Sequence, residues 1–178
     1  MKARENPFRS ERLDALVYRA EGFDWPTLEA RLVKLGGCGA IVGPEGHGKS
    51  TLLREWHKRS TESALVKLEF RQRRLTQEQR NEVGASKRVF LDSAEQLGWW
   101  GWIEFRCLTH RADLVVITSH RTGRLPTLLR CRTSPELLGD LIYELSGANY
   151  ECHNLWKQHK GNIRHALRAL YDSNSARR

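Results

Sequence analysis

The sequence predicts an α/β fold, in which one sheet of about five mostly parallel strands is covered by helices on both faces in a three-layer αβα sandwich. Short apolar runs alternate with longer stretches of helical periodicity, which is typical of parallel strands joined by crossover helices. At residues 43–50 a glycine-rich loop joins one of these runs to a helical stretch. Parallel sheets bind ligands at the carboxyl ends of their strands, so we expect a site at this junction.

Each element has a local signal. Pro26 suits the first turn of a helix that begins at Trp25, and Gly36-Gly37 ends that helix. Strands are predicted from short apolar runs at residues 38–42, 64–70, 88–92, 113–119 and 127–132. Helices are predicted at residues 49–59, within 71–87, at 94–110 with an interruption at 98–102, at 135–145, and once or twice in 150–172. We divide the chain into a core with an N-terminal lead-in (1–134) and a short helical lid and tail (135–178).

Residues 43–50 match the complete phosphate-loop pattern G-x-x-x-x-G-K-[ST]. Glycine adopts backbone angles that other residues avoid, which lets backbone N–H groups turn inward around a pyrophosphate. Lys49 would reach the β- and γ-phosphates, and the Ser50 hydroxyl would bind Mg²⁺. The N-terminus of the following helix adds a partial positive charge. The predicted nucleotide-binding residues are Gly43, Pro44, Glu45, Gly46, His47, Gly48, Lys49, Ser50 and Thr51.

A phosphate loop needs a partner carboxylate, because Mg²⁺ is a hard cation that prefers oxygen ligands. Asp92 follows the apolar run 89–91 and is the predicted second metal residue beside Ser50. Its alternative role is to cap the following helix. ATP hydrolysis also requires a group that orients the attacking water. Glu95 is the next acid after Asp92, and it is either that catalytic group or a plain surface residue.

Two further segments complete the candidate catalytic set. The fourth predicted strand ends in Thr118 and Ser119, which would lie between the phosphate loop and the third strand and contact the γ-phosphate; the alternative is simple strand termination. Near the C-terminus, Gly161-Asn162 would end one helix and begin the next. Arg164 would then project toward the γ-phosphate, or remain a solvated residue of a basic helix. The predicted catalytic residues are Lys49, Asp92, Glu95, Thr118 and Arg164.

The order of these motifs resembles the AAA+ superfamily of P-loop ATPases. The matching segments are residues 43–50 as Walker A, 89–92 as Walker B, 118–119 as sensor 1 and 161–164 as sensor 2. The stretches 6–8 (Asn-Pro-Phe) and 92–97 narrow the resemblance to compact bacterial AAA ATPases of secretion and transposition systems.

This resemblance implies ATP and Mg²⁺ as ligands, and a protein partner or a homo-oligomer. It also implies that an arginine finger, if the chain has one, is Arg121 or Arg124. One departure concerns catalysis, since Ser93 stands where many of these ATPases carry a glutamate directly after the aspartate. The resemblance therefore implies slow hydrolysis or nucleotide-gated switching.

Three functions stay open. The leading one is a Mg²⁺-dependent ATPase, slow or stimulated by a partner, that binds ATP and ADP as a nucleotide-gated module. The N/T-K-x-D tetrapeptide that GTPases use for guanine does not occur. Arginine-rich segments at 71–74 and 121–124 would suit a small-molecule kinase with a phosphate-clamping lid. Ser93 and the net charge of +9 would suit a non-hydrolysing ATP-binding regulator associated with DNA.

Composition sets outer limits on these functions. Hydrophobic content of 39% and charged content of 29% suit a globular domain. No apolar run approaches the ~20 residues that a membrane-spanning helix needs, so we expect no membrane insertion. The four cysteines are widely spaced and include no C-x-x-C pair, which favours reduced thiols in a cytoplasmic protein. The basic balance favours polyanionic partners, nucleic acid among them.

Two surface-type features have two interpretations each. Trp99, Trp100 and Trp102 would either stack on bases or bind a partner, or else pack in a helix–helix interface. The arginines of the segment 71–74 would either contact phosphates or form an ordinary charged loop.

Overall fold

The chain forms a five-stranded, all-parallel sheet with the strand order β2-β3-β4-β1-β5. The structure is a computed structural model and describes residues 8, 12, 16–19 and 24–176. The strands are β1 (Cys38–Val42), β2 (Ser63–Lys67), β3 (Arg88–Asp92), β4 (Leu114–Ser119) and β5 (Thr127–Arg130). Because β4 lies between β1 and β3, the carboxyl end of β4 separates the glycine loop from Asp92, as the sequence predicts.

Helices cover both faces of the sheet. They are α1 (Trp25–Lys34), α2 (Lys49–Lys58), α3 (Gln77–Ala85), a short 3-10 helix (Ala94–Gln96), α4 (Trp99–Leu108), α5 (Pro135–Ser146), α6 (Cys152–Gln158) and α7 (Ile163–Ala176). One face packs against α3 and α4 through residues such as Val83 and Phe105. The opposite face packs against α1 and α2 through residues such as Leu32 and Trp56. The predicted α/β class and parallel sheet are confirmed, and the arrangement is compatible with a three-layer sandwich.

The last three helices have a hydrophobic cluster of their own. It joins buried side chains of α5, α6 and α7, among them Leu138, Ile142 and Leu167. Phe8, from the start of the chain, is buried in the same cluster. The other two residues of the Asn-Pro-Phe stretch, Asn6 and Pro7, lie outside the described residues.

Several predicted elements have different boundaries in the structure, and the strand predicted at residues 127–132, for example, ends at Arg130. The strand predicted at residues 64–70 ends at Lys67, because the chain leaves the sheet through a tight turn in which Arg71 has a positive φ of 66°. The helix predicted at residues 94–110 is divided into the 3-10 helix and α4. The division falls at Leu97 and Gly98, which have extended backbone angles, so the interruption predicted at residues 98–102 is wrong for 99–102, which form the first turn of α4.

The three tryptophans of α4 differ in environment. Trp102 is half-buried, stacks on Phe105 with 5.5 Å between ring centroids, and lies under the Arg124 guanidinium. Trp99 and Trp100 are 74% and 69% exposed. The packing interpretation therefore holds for Trp102 and is wrong for Trp99 and Trp100. Within the part of the chain that the structure describes, no helix combines the length and apolar character needed to span a bilayer.

Candidate functional site

The glycine loop connects the end of β1 to the beginning of α2. Gly46 and Gly48 have φ angles of 75° and 80°, in the left-handed region that L side chains rarely adopt. Gly48 is the N-cap of α2 and has no side chain to cap the helix. No side chain at the cap accepts a hydrogen bond from the first N–H groups of α2. Such N–H groups at a helix N-terminus can bind an anion.

Lys49 is a buried cation at the base of this loop. Its ammonium Nζ donates a hydrogen bond to the carbonyl oxygen of Pro44 at 2.7 Å, so the side chain folds back along the loop. Burial lowers the pKa of Lys49 below its ordinary value, and the strongest of the negative charges that oppose this shift is Glu95. An anion bound in the loop would favour the protonated ammonium in the same way.

The carboxylate of Asp92 is the centre of a polar network across three strand ends. Its Oδ1 accepts hydrogen bonds from the Ser50 hydroxyl at 2.9 Å and from the Thr118 hydroxyl at 2.5 Å. Thr118 in turn accepts a hydrogen bond from the backbone N–H of Ser93 at 2.8 Å. Ser93 has a φ of 64°, so this hydrogen bond holds a left-handed residue directly after Asp92. Three of the predicted site residues, Ser50, Asp92 and Thr118, thus meet.

Glu95 lies beside this network on the 3-10 helix. Its Oε1 is 3.0 Å from His120 Nε2, at the end of β4. Its second oxygen, Oε2, is buried and has no hydrogen-bond partner among the described residues. Burial lowers the pKa of Arg124, and the charge of Glu95 opposes that shift. The charge of Glu95 thus opposes the lowering of the pKa of both Lys49 and Arg124.

The N-terminal segment contributes a tyrosine that sequence reasoning missed. The Tyr18 ring stands against the glycine loop, where a Cβ on Gly48 would meet two ring carbons at 3.1 Å. The Tyr18 hydroxyl lies 3.6 Å from the Cys131 thiol, and its backbone N–H donates to Glu55 of α2. Burial raises the pKa of both Tyr18 and Cys131. The N-terminal lead-in therefore packs beside the glycine loop at this residue.

The turn between α6 and α7 touches the glycine loop from the other side. A Cβ on Gly46 would lie 1.9 Å from the side-chain oxygen of Asn162. That oxygen also accepts the backbone N–H of His165 at 3.0 Å and so caps α7. The preceding Gly161 carbonyl accepts a hydrogen bond from Thr133 at 2.7 Å. Arg164 is exposed in the first turn of α7, two residues after the contact with the loop.

Two cavities lie beside residues at the carboxyl ends of β5 and β4. The larger, of about 940 Å³, lies between the N-terminal segment, α1, β5 and the start of α5, and its lining includes Tyr18, Leu128, Thr133 and Leu137. The smaller, of about 410 Å³, follows β4 and is lined by Glu95, Ser119, His120, Arg121, Thr122 and Arg124. Charged side chains line both cavities, and those of the larger one include Arg19, Arg31 and Arg132.

The candidate arginine fingers differ from each other. Arg124 donates to the carbonyl of Leu97 and lies over Trp102, so its side chain is held within the chain. Arg121 is exposed. Two residues at the site, Tyr18 and His120, were not predicted from the sequence because they belong to no motif. The contacts of Tyr18 and Asn162 with the loop glycines depend on segments far apart in sequence.

Comparison with known proteins does not place this chain in a family. No family model matches this chain, and no curated protein sequence matches it either. The assignment of function therefore depends on the geometry of the site and on the resemblance of its motifs.

Proposed function

We propose that this chain is an AAA-type P-loop protein that binds ATP with Mg²⁺ in the glycine loop and hydrolyses it slowly or on contact with a partner. The observation that carries the proposal is the hydrogen bond between Ser50 and Asp92, the two residues that the phosphate-loop pattern assigns to one metal ion. Lys49, buried beside them at the start of α2, supplies the positive charge that a triphosphate requires.

The donor set fits Mg²⁺. Ser50 offers a hydroxyl and Asp92 a carboxylate, and both are hard oxygen ligands. Ser50 and Thr118 donate to the same oxygen of Asp92, Oδ1, and neither donates to Oδ2. Ser50 and Asp92 would hold the ion, and a bound Mg²⁺ would neutralise charge on the β- and γ-phosphates.

Each remaining residue has a distinct part in the proposed activity. Lys49 would leave the Pro44 carbonyl and bind phosphate oxygens instead. Thr118 would hold Asp92 in place while it fixes the backbone of Ser93. Glu95, whose Oε2 is buried without a partner among the described residues, would accept a proton from the attacking water or orient it. Arg164 would reach the phosphates from α7.

The central experiment is calorimetric titration of ATP and ADP into the protein and into Lys49→Ala, with Mg²⁺ and with a chelator. Loss of hydrogen bonds from a charged group to phosphate should weaken ATP binding by about tenfold to a hundredfold. Lys58→Ala is the matched control, because Lys58 is an exposed lysine at the far end of the same helix. Full ATP affinity in Lys49→Ala would contradict the proposal.

Turnover tests the role of Glu95. Glu95→Gln should lower hydrolysis by about a hundredfold or more while ATP affinity stays within about twofold, since a general base acts on the chemical step. Glu82→Gln, an exposed glutamate on α3, is the control. Equal rates in both variants would exclude Glu95 as the catalytic group.

A second candidate is an ATP-binding switch with negligible turnover. The observation that favours it is Ser93, which places a hydroxyl where the resembling ATPases carry a catalytic carboxylate, and whose left-handed backbone is fixed by Thr118. Binding of ATP without measurable hydrolysis would support this candidate. Transfer of the γ-phosphate to added small-molecule acceptors at catalytic rates would instead support a kinase.

A cytoplasmic location belongs to the proposal, since all four cysteines are free thiols.

A further inference from the structure

A second feature at the carboxyl edge of the sheet combines exposed aromatic rings with arginines. Phe70, in the loop after β2, is 79% exposed, and Trp99 and Trp100, at the start of α4, are 74% and 69% exposed. Large exposed aromatic side chains in adjoining segments are typical of a site that binds a partner. We call residues 70–74 together with Trp99 and Trp100 the aromatic–basic surface.

The loop of this surface is held in a defined conformation by buried anchors and hydrogen bonds. Leu68 and Leu75 anchor its two ends in the core beneath the sheet edge. Within the loop, the Gln72 side chain donates to the carbonyl of Arg74 at 3.0 Å and to Gln79 at 2.6 Å, and accepts the N–H of Glu69 at 3.0 Å. These hydrogen bonds fix the backbone, so Phe70 is presented to solvent by a defined turn.

The loop and the start of α4 are joined. The backbone N–H of Arg71 donates to the Gln96 side chain at 3.0 Å, and the N–H of Gly98 donates to the carbonyl of Arg73 at 3.0 Å. A Cβ on Gly101 would lie 2.2 Å from the same carbonyl. The segment that carries Phe70 and the segment that carries Trp99 and Trp100 therefore belong to one surface.

The charge of this surface is positive. Residues 67–76 contain Lys67, Arg71, Arg73 and Arg74 against one carboxylate, Glu69. All three arginines are exposed, and the Arg71 guanidinium lies 5.2 Å from the centroid of the Phe70 ring. Flat aromatic faces beside guanidinium groups are the combination that binds unpaired bases by stacking and their phosphates by charge.

We propose that the aromatic–basic surface binds single-stranded nucleic acid. Trp99, Trp100 and Phe70 supply rings on which successive bases stack, and Arg73 and Arg74 contact the backbone. A single strand fits better than a duplex, because base faces are covered inside a duplex and an exposed ring has nothing to stack on. The proposal does not depend on ATP binding, since none of these residues belongs to the glycine loop or to the Asp92 network.

The test is fluorescence anisotropy of a labelled 20-nucleotide oligothymidine with the full chain, at several salt concentrations. The double variant W99A/W100A should bind about tenfold or more weakly, because stacking on each ring is lost. The control is Y143A/Y150A, which removes two exposed aromatic side chains, one on α5 and one in the loop before α6. Affinity within about twofold of wild type in W99A/W100A, or no binding by the wild-type chain, would overturn the proposal.

Salt dependence tests the arginines. R73Q/R74Q keeps most of both side chains and should reduce the slope of log affinity against log salt by about 0.7 for each phosphate that is no longer neutralised. R88Q/R111Q removes the same charge at the opposite edge of the sheet, where β3 and β4 begin, and should leave the slope unchanged. Equal slopes for the two double variants would overturn the assignment of Arg73 and Arg74 to the phosphates.

Two other occupants of the surface have their own signatures. If the surface joins two copies of this chain, wild type will dimerise in sedimentation, W99A/W100A will stay monomeric, and oligothymidine affinity will be the same in both. If a duplex of equal length binds as tightly as the single strand and W99A/W100A does not change its affinity, binding is by charge alone. Either result would overturn the proposal, and both are independent of calorimetry with ATP.

Discussion

Two regions lie at the same carboxyl edge of the sheet and use their side chains in opposite ways. Around Asp92, the polar groups of Lys49, Ser50 and Thr118 are bonded to one another or to the backbone and are largely buried. On the aromatic–basic surface, backbone and glutamine hydrogen bonds build the frame, while Phe70, Trp99 and Trp100 face solvent. The first region is where we propose that a small ligand binds, and the second is where we propose that a single strand binds across the surface.

The comparison predicts that substitutions in the first region affect stability and that substitutions on the second leave it unchanged. Exposed side chains that make no buried contact change the free energy of unfolding by less than about 0.5 kcal/mol. Buried hydrogen-bonded groups cost more to remove, because their partners stay desolvated.

The largest effect on stability is expected for Gly46→Ala. The left-handed backbone costs roughly 1–2 kcal/mol with any L side chain. The new methyl group would also displace Asn162 from its cap on α7, which adds about 1 kcal/mol. Gly36→Ala is the matched control, since Gly36 has a φ of 70° and no atom of the described residues lies within 4 Å of its Cβ position. Urea unfolding should show a larger loss for Gly46→Ala, and part of that loss should disappear in the double variant with Asn162→Ala. Equal losses at Gly46 and Gly36 would mean that the α6–α7 turn does not press on the loop.

A smaller effect is expected for Thr118→Val. The change preserves shape, removes a donor to Asp92 and leaves the Ser93 N–H without its acceptor. We expect a loss of about 2 kcal/mol, which lowers the thermal midpoint by roughly 2–4 °C per kcal/mol in a chain of this size. Thr27→Val makes the same chemical change at an exposed position of α1 and should alter the midpoint little. A Thr118→Val midpoint equal to that of wild type would show that the network around Asp92 contributes nothing to folding.

The smallest effect on stability is expected within α4, where Trp102 is half-buried and Trp100 is exposed. Trp102→Ala removes the stack on Phe105 and the ring beneath Arg124, and should cost about 1–2 kcal/mol, less than a fully buried tryptophan. Trp100→Ala should change the unfolding free energy by less than about 0.5 kcal/mol. Urea denaturation of the two variants gives the difference directly. If Trp100→Ala is as destabilising as Trp102→Ala, the surface is part of the core and no partner is needed to explain it.

Much of the fold follows from the sequence because strands and glycine loops carry local signals. The apolar runs at β1 and β3 coincide with the strands at both ends, and the phosphate-loop pattern places the start of α2. The early end of β2 carried no such signal, since the turn depends on a left-handed arginine, Arg71, where glycine would be expected. The division of the helix at Leu97 and Gly98 follows from the hydrogen bond between Gly98 and the carbonyl of Arg73 in another segment.

The candidate site was predictable in part for the same reason. Lys49 and Ser50 belong to a pattern of fixed spacing, and Asp92 directly follows an apolar run, so their positions could be expected before their distances were known. The contacts of Glu95 with His120, of Tyr18 with Gly48 and of Asn162 with Gly46 join residues from different elements. No pattern in one sequence encodes such pairs, because each depends on how the elements pack. The exposure of Trp99 and Trp100 could not be predicted either, because a helical sequence does not show which of its faces a neighbouring element covers.

Phe8 has a consequence for how this molecule can be synthesised and shortened. It is buried among side chains of α5 and α7, more than a hundred residues away along the chain. During translation, the Phe8 ring cannot make these contacts until almost the entire polypeptide has left the ribosome, because the helices that it packs against are synthesised last. Conversely, a deletion at the amino terminus that removes Phe8 would open a hole among the final helices, at the opposite end of the gene.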